Sequence, residues 1–166
     1  MNNKRLFIFL LVFSLSAVFT TSNRSAALTT LTTPDGPTAF GEGTFAFHGE
    51  NHFSFTATVN NHGKGKGRAV FENLLTQTRV EVRLDCVQID STVAIMSGTV
   101  QHSDDPNLPK HDYVIFSAGD ETHAPFFVGD SITPLFSTLG SDFDCSNSGG
   151  PLTILPLSSG NIVVQP

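Results

Sequence analysis

The chain has 166 residues, with nine Lys and Arg against 15 Asp and Glu, a formal net charge of −6 at pH 7; its aromatic residues are 15 Phe, one Tyr and no Trp. An acidic balance repels phosphate backbones and anionic lipid surfaces, which disfavours nucleic-acid binding and peripheral membrane docking. With Tyr113 as the single Tyr, an aromatic sugar platform is also disfavoured, because such platforms lean on rings with a polar handle.

The N-terminus carries an export signature. Lys4 and Arg5 supply a positive start, an apolar run from Leu6 to Phe19 is broken only by Ser14 and Ser16, and Ser25-Ala26-Ala27 forms a small-residue exit. The run is about 14 residues, shorter than the roughly 20 that span a bilayer as a helix, so residues 1–27 are expected to be a cleaved signal peptide and not a retained anchor. No Cys stands near the exit to carry a lipid. Cleavage removes Lys4, Arg5 and Arg24 and leaves 139 residues with six basic against 15 acidic side chains. That length suits one domain with a substantial core. The expected localisation, extracellular or periplasmic, is one in which disulfides persist. Cys86 and Cys145 are the two cysteines. A disulfide between them is expected, closing a loop of about 60 residues worth roughly 4 kcal/mol of chain entropy. Two free thiols or a metal pair are the alternatives, and two lone cysteines lack zinc-ligand spacing.

Residues 28–39, rich in Thr and Pro and without a period, read as a flexible lead-in. From Phe40 the pattern becomes period two. Phe45 and Phe47 alternate with Thr44, Ala46 and His48; Gly49 to His52 reads as a turn; Phe53, Phe55, Ala57 and Val59 then alternate with Ser54, Thr56 and Thr58 as a half-buried strand. Asn60 to Gly67, with Gly63, Gly65 and Gly67, is expected to be loop throughout. Phe71, Leu74 and Leu75 carry a helical spacing over too short a segment, and read as a strand end that can finish in a helical turn. From Thr78 to Asp85, Val80, Val82 and Leu84 share one face, with Cys86 next on it. Arg79, Glu81, Arg83 and Asp85 share the other, a solvated sheet face with modest ion pairs. Asp90-Ser91 turns the chain into Thr92–Val100, apolar on both faces and therefore central, and Tyr113–Ala118 is similarly buried. Gly and Pro break residues 119–152, where short strands are expected at Phe126–Val128 and Ile132–Phe136; Ile154–Leu157 and Ile162–Gln165 are the last strands. The prolines fall mostly at the ends of these runs, as sheets require. The pattern predicts an all-β domain over residues 40–166, an antiparallel β-sandwich or flattened β-barrel of about eight or nine short strands, after a cleaved N-terminal signal helix.

Several segments carry catalytic or metal-binding chemistry on their face. Asn147-Ser148-Gly149-Gly150-Pro151-Leu152 resembles the nucleophile loop of trypsin-like proteases, where glycines shape an oxyanion hole around a Ser. The residues after Leu152 already read as closing strands, and His48, His52 and His62 sit in apparent turns, so the segment reads as a Gly-Pro turn holding Cys145. His102, Asp104, Asp105, His111 and Asp112 gather in one loop whose oxygens could hold Ca²⁺ and whose imidazoles could recruit Zn²⁺. Loop composition alone produces such clusters often, and no metal is assigned. Asp142-Phe143-Asp144-Cys145-Ser146 begins like a calcium loop, but Asn147 stands where Gly belongs and Thr153 where a bidentate Glu belongs. Gly119 to Phe127, with paired Phe beside acids, is the best candidate for a recognition loop, but burial of both rings under the loop is the preferred reading.

Taken in order, Gly41-Glu42-Gly43, the Phe53–Ala57 strand, the Gly63–Gly67 loop, Ala94–Val100 and Leu157–Val164 resemble the post-COAP-type family of small exported bacterial β-domains of unassigned function. The resemblance spans nearly all of residues 40–165. It implies a β-fold and an export route, and it lends no catalytic residue; Ala118–Pro125 departs from the Asp-Asn-Gly-Glu-Pro-Gly-like turn of that family. The expectation is an exported, non-catalytic binding or structural module without a cofactor. Its partner would be an extracellular protein or a small ligand, and neither nucleic acid nor, after signal cleavage, a membrane. The alternative is a small secreted hydrolase acting through Ser148 or the His111/Asp112 loop.

Overall fold

The computed structural model describes residues 36–120, 129–138, 145 and 154–166. Among them nine strands form: β1 (Thr38–Ala46), β2 (Glu50–Val59), β3 (Gly65–Asn73), β4 (Thr78–Asp90), β5 (Val93–Ser103), β6 (Tyr113–Gly119), β7 (Ser131–Ile132), β8 (Phe136–Thr138) and β9 (Leu155–Gln165). They run β5-β4-β3-β2-β1-β9-β7-β6, and β6 returns to β5, so eight strands close into an antiparallel barrel; β8 pairs with β6 outside that ring. Of the two architectures the pattern allowed, the barrel is the one formed. Closure gives every strand of the ring a partner on both sides, although β7 supplies only two pairs to each of its neighbours.

The inward residues are those that the period-two reading marks as apolar. Phe45, Phe53, Phe55, Phe71 and Phe116 interlock, with ring centroids from 5.1 Å (Phe71–Phe116) to 6.4 Å (Phe53–Phe71). Val82, Leu84, Met96, Val100, Val114, Ile132 and Ile162 complete the buried filling. An eight-stranded barrel is just wide enough for side chains to fill. This one is filled by phenylalanine.

Several details differ from the sequence reading; Glu50–His52, expected in a turn, open β2, and the strand expected at Ile132–Phe136 is divided between β7 and β8. β3 starts at Gly65, inside the stretch expected to be loop: a Cβ at Gly67 would lie 2.2 Å from the Thr56 carbonyl oxygen, so glycine is what lets β3 approach β2. β1 starts at Thr38 and buries Ala39, taking the last two residues of the expected lead-in into the sheet. The two closing strands are one, because Ser158 is looped out of the β1–β9 register and Gly160, at φ 111°, lets β9 continue past it. Finally, Cys86 does not continue the inward row of β4. A bulge at Asp85 pairs Cys86 with Ser97 and Val87 with inward Met96, which turns the thiol to the outer face.

That turn matters because a second buried layer lies outside the wall. Ile115 and Ser117, which alternate with inward Val114 and Phe116, are 1% and 0% exposed, and Cys145 is 1% exposed. The Cys86 and Cys145 sulfurs are 2.00 Å apart, with Cα atoms at 5.8 Å, the spacing of a disulfide. The Cys145 backbone N–H donates to Ser97 Oγ at 3.1 Å, which fixes the residue against β5.

The weakest stretch of the ring is the seam between β6 and β9, where β7 contributes only two pairs to each neighbour. Two carboxylates complete it. Asp130 Oδ2 accepts the Ile162 N–H at 2.6 Å and the buried Asp120 Oδ2 accepts the Val164 N–H at 3.1 Å.

Candidate functional site

One end of the barrel gathers the β1–β2 turn, the β3–β4 turn, the β5–β6 loop and the link from β7 to β8. A cavity of about 500 Å³ opens between them. Its floor is the top of the core, Phe45, Phe71 and Val80, and its apolar walls are Phe47, Leu108, Pro134 and Leu135. Asn51, Asn73, Thr76, Thr78 and Asp105 supply polar groups around it. Barrel mouths with an apolar lining and few polar groups are a common setting for small ligands, in pockets of roughly 300–1,000 Å³.

The rim is built by turn chemistry. His48 and Gly49 take positive φ values of 48° and 116° to reverse the chain. Asn51 Nδ2 then donates to the Phe47 and Gly49 carbonyls at 2.7 and 3.1 Å. Across the mouth, Asn73 Oδ1 accepts the Leu75 and Thr76 N–H groups, both at 3.0 Å, and Asn73 Nδ2 donates to Asn51 Oδ1 at 3.1 Å. The two turns are therefore tied to each other. The Thr76 and Thr78 hydroxyls are 2.8 Å apart; one proton fills that bond and the other hydroxyl keeps a proton to offer. Apolar surface continues onto the tips of the turns, where Phe47, Leu74 and Leu75 are exposed and the Phe47 ring stands edge-on to His48 at 4.4 Å.

The structure separates most of the residues that sequence reading grouped. His48 lies at this mouth, His62 in the β2–β3 connection at the opposite end, and His52 on the β2 wall, 4.0 Å from Glu72. His102 ends up on β5 facing Asp104 at 3.5 Å, His111 is exposed at φ 78°, and Asp112 accepts the Ser137 hydroxyl at 3.0 Å. Asp105 alone of that group lines the cavity. Among the described residues no set of three or more His, Cys, Asp or Glu side chains is gathered as a metal would require. Ser148 and its glycines, residues 121–127 of the candidate recognition loop, the strand expected at Phe126–Val128, and Asp142 and Asp144 lie outside the described residues, as does the expected signal peptide.

On the wall, Arg79 bridges Glu72 and Glu81, 2.9 Å from the latter, and the hydrogen bond to Glu81, followed by that to Glu72, holds the guanidinium pKa above its ordinary value. This is the solvated, ion-paired face that the alternating charges imply. Comparison with known proteins adds no identity. No family model matches the chain, and no curated protein or solved structure is significantly similar to it. Function must therefore be argued from the site and not from the barrel, since a fold hosts many functions. The mouth itself is not evident from the strand pattern. Its signal was present as Phe47, Leu74 and Leu75, large apolar residues at turn positions that polar residues usually fill.

Proposed function

We propose that the protein is an exported, non-catalytic β-barrel module that binds a small, mainly apolar ligand at the mouth bounded by Phe47, Asn73 and Leu108. One observation carries this reading: an open cavity whose floor is continuous with the aromatic core and whose polar rim is already hydrogen-bonded into place. Such a site needs little reordering on binding, which is where affinity is usually lost. The polar groups that line it are amides, hydroxyls, an imidazole and one carboxylate anchored in its own turn, and these suit orientation of a ligand. The N-terminal signature of residues 4–27 and the Cys86–Cys145 pair support export to an oxidising compartment.

The test is a fluorescence titration of the purified domain with N-phenyl-1-naphthylamine, a neutral apolar probe. Saturable enhancement with one site per chain is expected. Thr78→Trp, which fills the mouth from the start of β4, is expected to abolish it while the thermal midpoint is kept. Absence of saturable binding, or full binding by the Trp variant, would refute the proposal.

A further inference from the structure

We infer that the mouth selects ligands carrying a protonated amine on an apolar body, with Asp105 as the counter-ion. The inference rests on the binding site proposed above and names the chemistry of its ligand. Among the described residues, the cavity lining includes two ionisable side chains, Asp105 and His48, and neither Lys nor Arg. Lys110, in the same loop, is exposed and does not line the cavity. Asp105 is half-buried. Its Oδ1 is occupied by the Asn107 backbone N–H at 2.8 Å and the Asn107 side chain at 3.2 Å, so the carboxylate is held in a defined turn. No hydrogen bond or ion pair engages Oδ2 among the described residues. Neighbouring acids are placed differently: Asp104 faces His102, and Asp112 holds Ser137. Asp105 is thus a fixed, unneutralised carboxylate beside an apolar floor. A half-buried anion in such surroundings favours a cation over water, because the local dielectric strengthens the attraction. The Phe47 face, 40% exposed at the rim, adds a second weak attraction for an ammonium group. The overall negative charge of the chain draws cations toward it and repels anions. A carboxylate head on the same hydrocarbon would meet Asp105 as a like charge. An alcohol would gain the apolar burial and lose the ion pair.

The experiment compares octylamine, octanol and octanoate as competitors for bound N-phenyl-1-naphthylamine, at about pH 8, where the amine is protonated and the acid ionised. The expected order is amine, then alcohol, then acid, with the amine about fivefold tighter than the alcohol, the scale of one partly exposed ion pair. Asp105→Asn keeps the acceptor for Asn107 and removes the charge, so it should lower amine affinity to that of the alcohol and leave alcohol affinity unchanged. Asp104→Asn should keep the amine preference. Added salt should weaken the amine more than the alcohol, a readout that stands even if the Asp105 variant fails to fold. Equal affinities for amine and alcohol, a preference for the acid, or an amine preference that survives Asp105→Asn would each overturn the inference while leaving apolar binding intact. Displacement by none of the three would overturn both the inference and the binding site beneath it.

Discussion

Replacing Cys86 and Cys145 together by Ala should lower the stability of the domain by about 4 kcal/mol without dismantling the barrel. The pair is separated by 59 residues, and the chain-entropy model for a loop of about 60 residues gives roughly 4 kcal/mol at room temperature. That is a large share of the roughly 5–15 kcal/mol that holds an ordinary domain together. The consequence should be local because of where the bond sits. It ties Cys145 to the outer face of β4, and a chain of hydrogen bonds runs from it out to the surface: the Cys145 N–H to Ser97 Oγ at 3.1 Å, Ser97 Oγ to the Tyr113 hydroxyl at 3.2 Å, and that hydroxyl to Asp85 Oδ1 at 2.8 Å. The β5–β6 ladder that closes the ring runs from Val93↔Gly119 to Thr99↔Tyr113 and does not depend on the bond. Urea unfolding followed by far-UV circular dichroism is the assay. With a slope of about 2 kcal/mol per molar, the midpoint should fall by roughly 2 M while the β-type spectrum in water persists. An unchanged midpoint in the double variant, or two alkylatable thiols in the untreated protein, would show the loop-closure reasoning to be wrong.

The seam should be the other sensitive place. Asp130→Ala and Asp120→Ala each strip a carboxylate acceptor from a β9 backbone N–H and should cost about 1–3 kcal/mol, with faster hydrogen exchange at Ile162 and Val164; protection unchanged at both amides would count against the carboxylates as the closing element. Protein recovered from the exported fraction should begin near Leu28, as N-terminal sequencing would show, and intact Met1 in a membrane fraction would defeat the signal-peptide reading.

Much of the fold was legible because a half-buried strand writes its period directly into the sequence. Phe53, Phe55 and Ala57 against Ser54, Thr56 and Thr58 could hardly be anything else, and β2 places them as that alternation requires. What failed was local accounting at irregularities. The bulge at Asp85 adds one residue and inverts every side chain after it, so Cys86 faces outward where strict alternation places it inward. Gly65 and Gly67 looked like loop because glycine is a poor strand former in isolation, whereas their use is tertiary and depends on backbones that only the folded sheet brings close. Choosing a barrel over a sandwich depends on β9 returning to β1, from Thr38↔Gln165 to Phe45↔Leu157, a long-range pairing that no window of sequence records.

The candidate site was less legible for a related reason. Its floor is made of Phe45, Phe71 and Val80, which in sequence are ordinary core residues of three different strands, and it is the cavity opening above them among the described residues that makes them a binding surface. The alternatives within the fold are physically poorer. The barrel interior is closed to ligands by five interlocked Phe rings. The wall over β3 and β4 is a solvated face where Arg79 is already engaged by Glu72 and Glu81, and exposed ion pairs of this kind contribute little to recognition. The mouth differs from both because large apolar groups stay partly in water there. Phe47, which lines the cavity, is 40% exposed, and Leu75 on the neighbouring turn is 74% exposed, so each keeps hydrated apolar surface that contact with a ligand would release. Apolar side chains held at a fixed rim, above an apolar floor and beside one unneutralised carboxylate, are arranged to the advantage of a bound molecule and not of the folded chain.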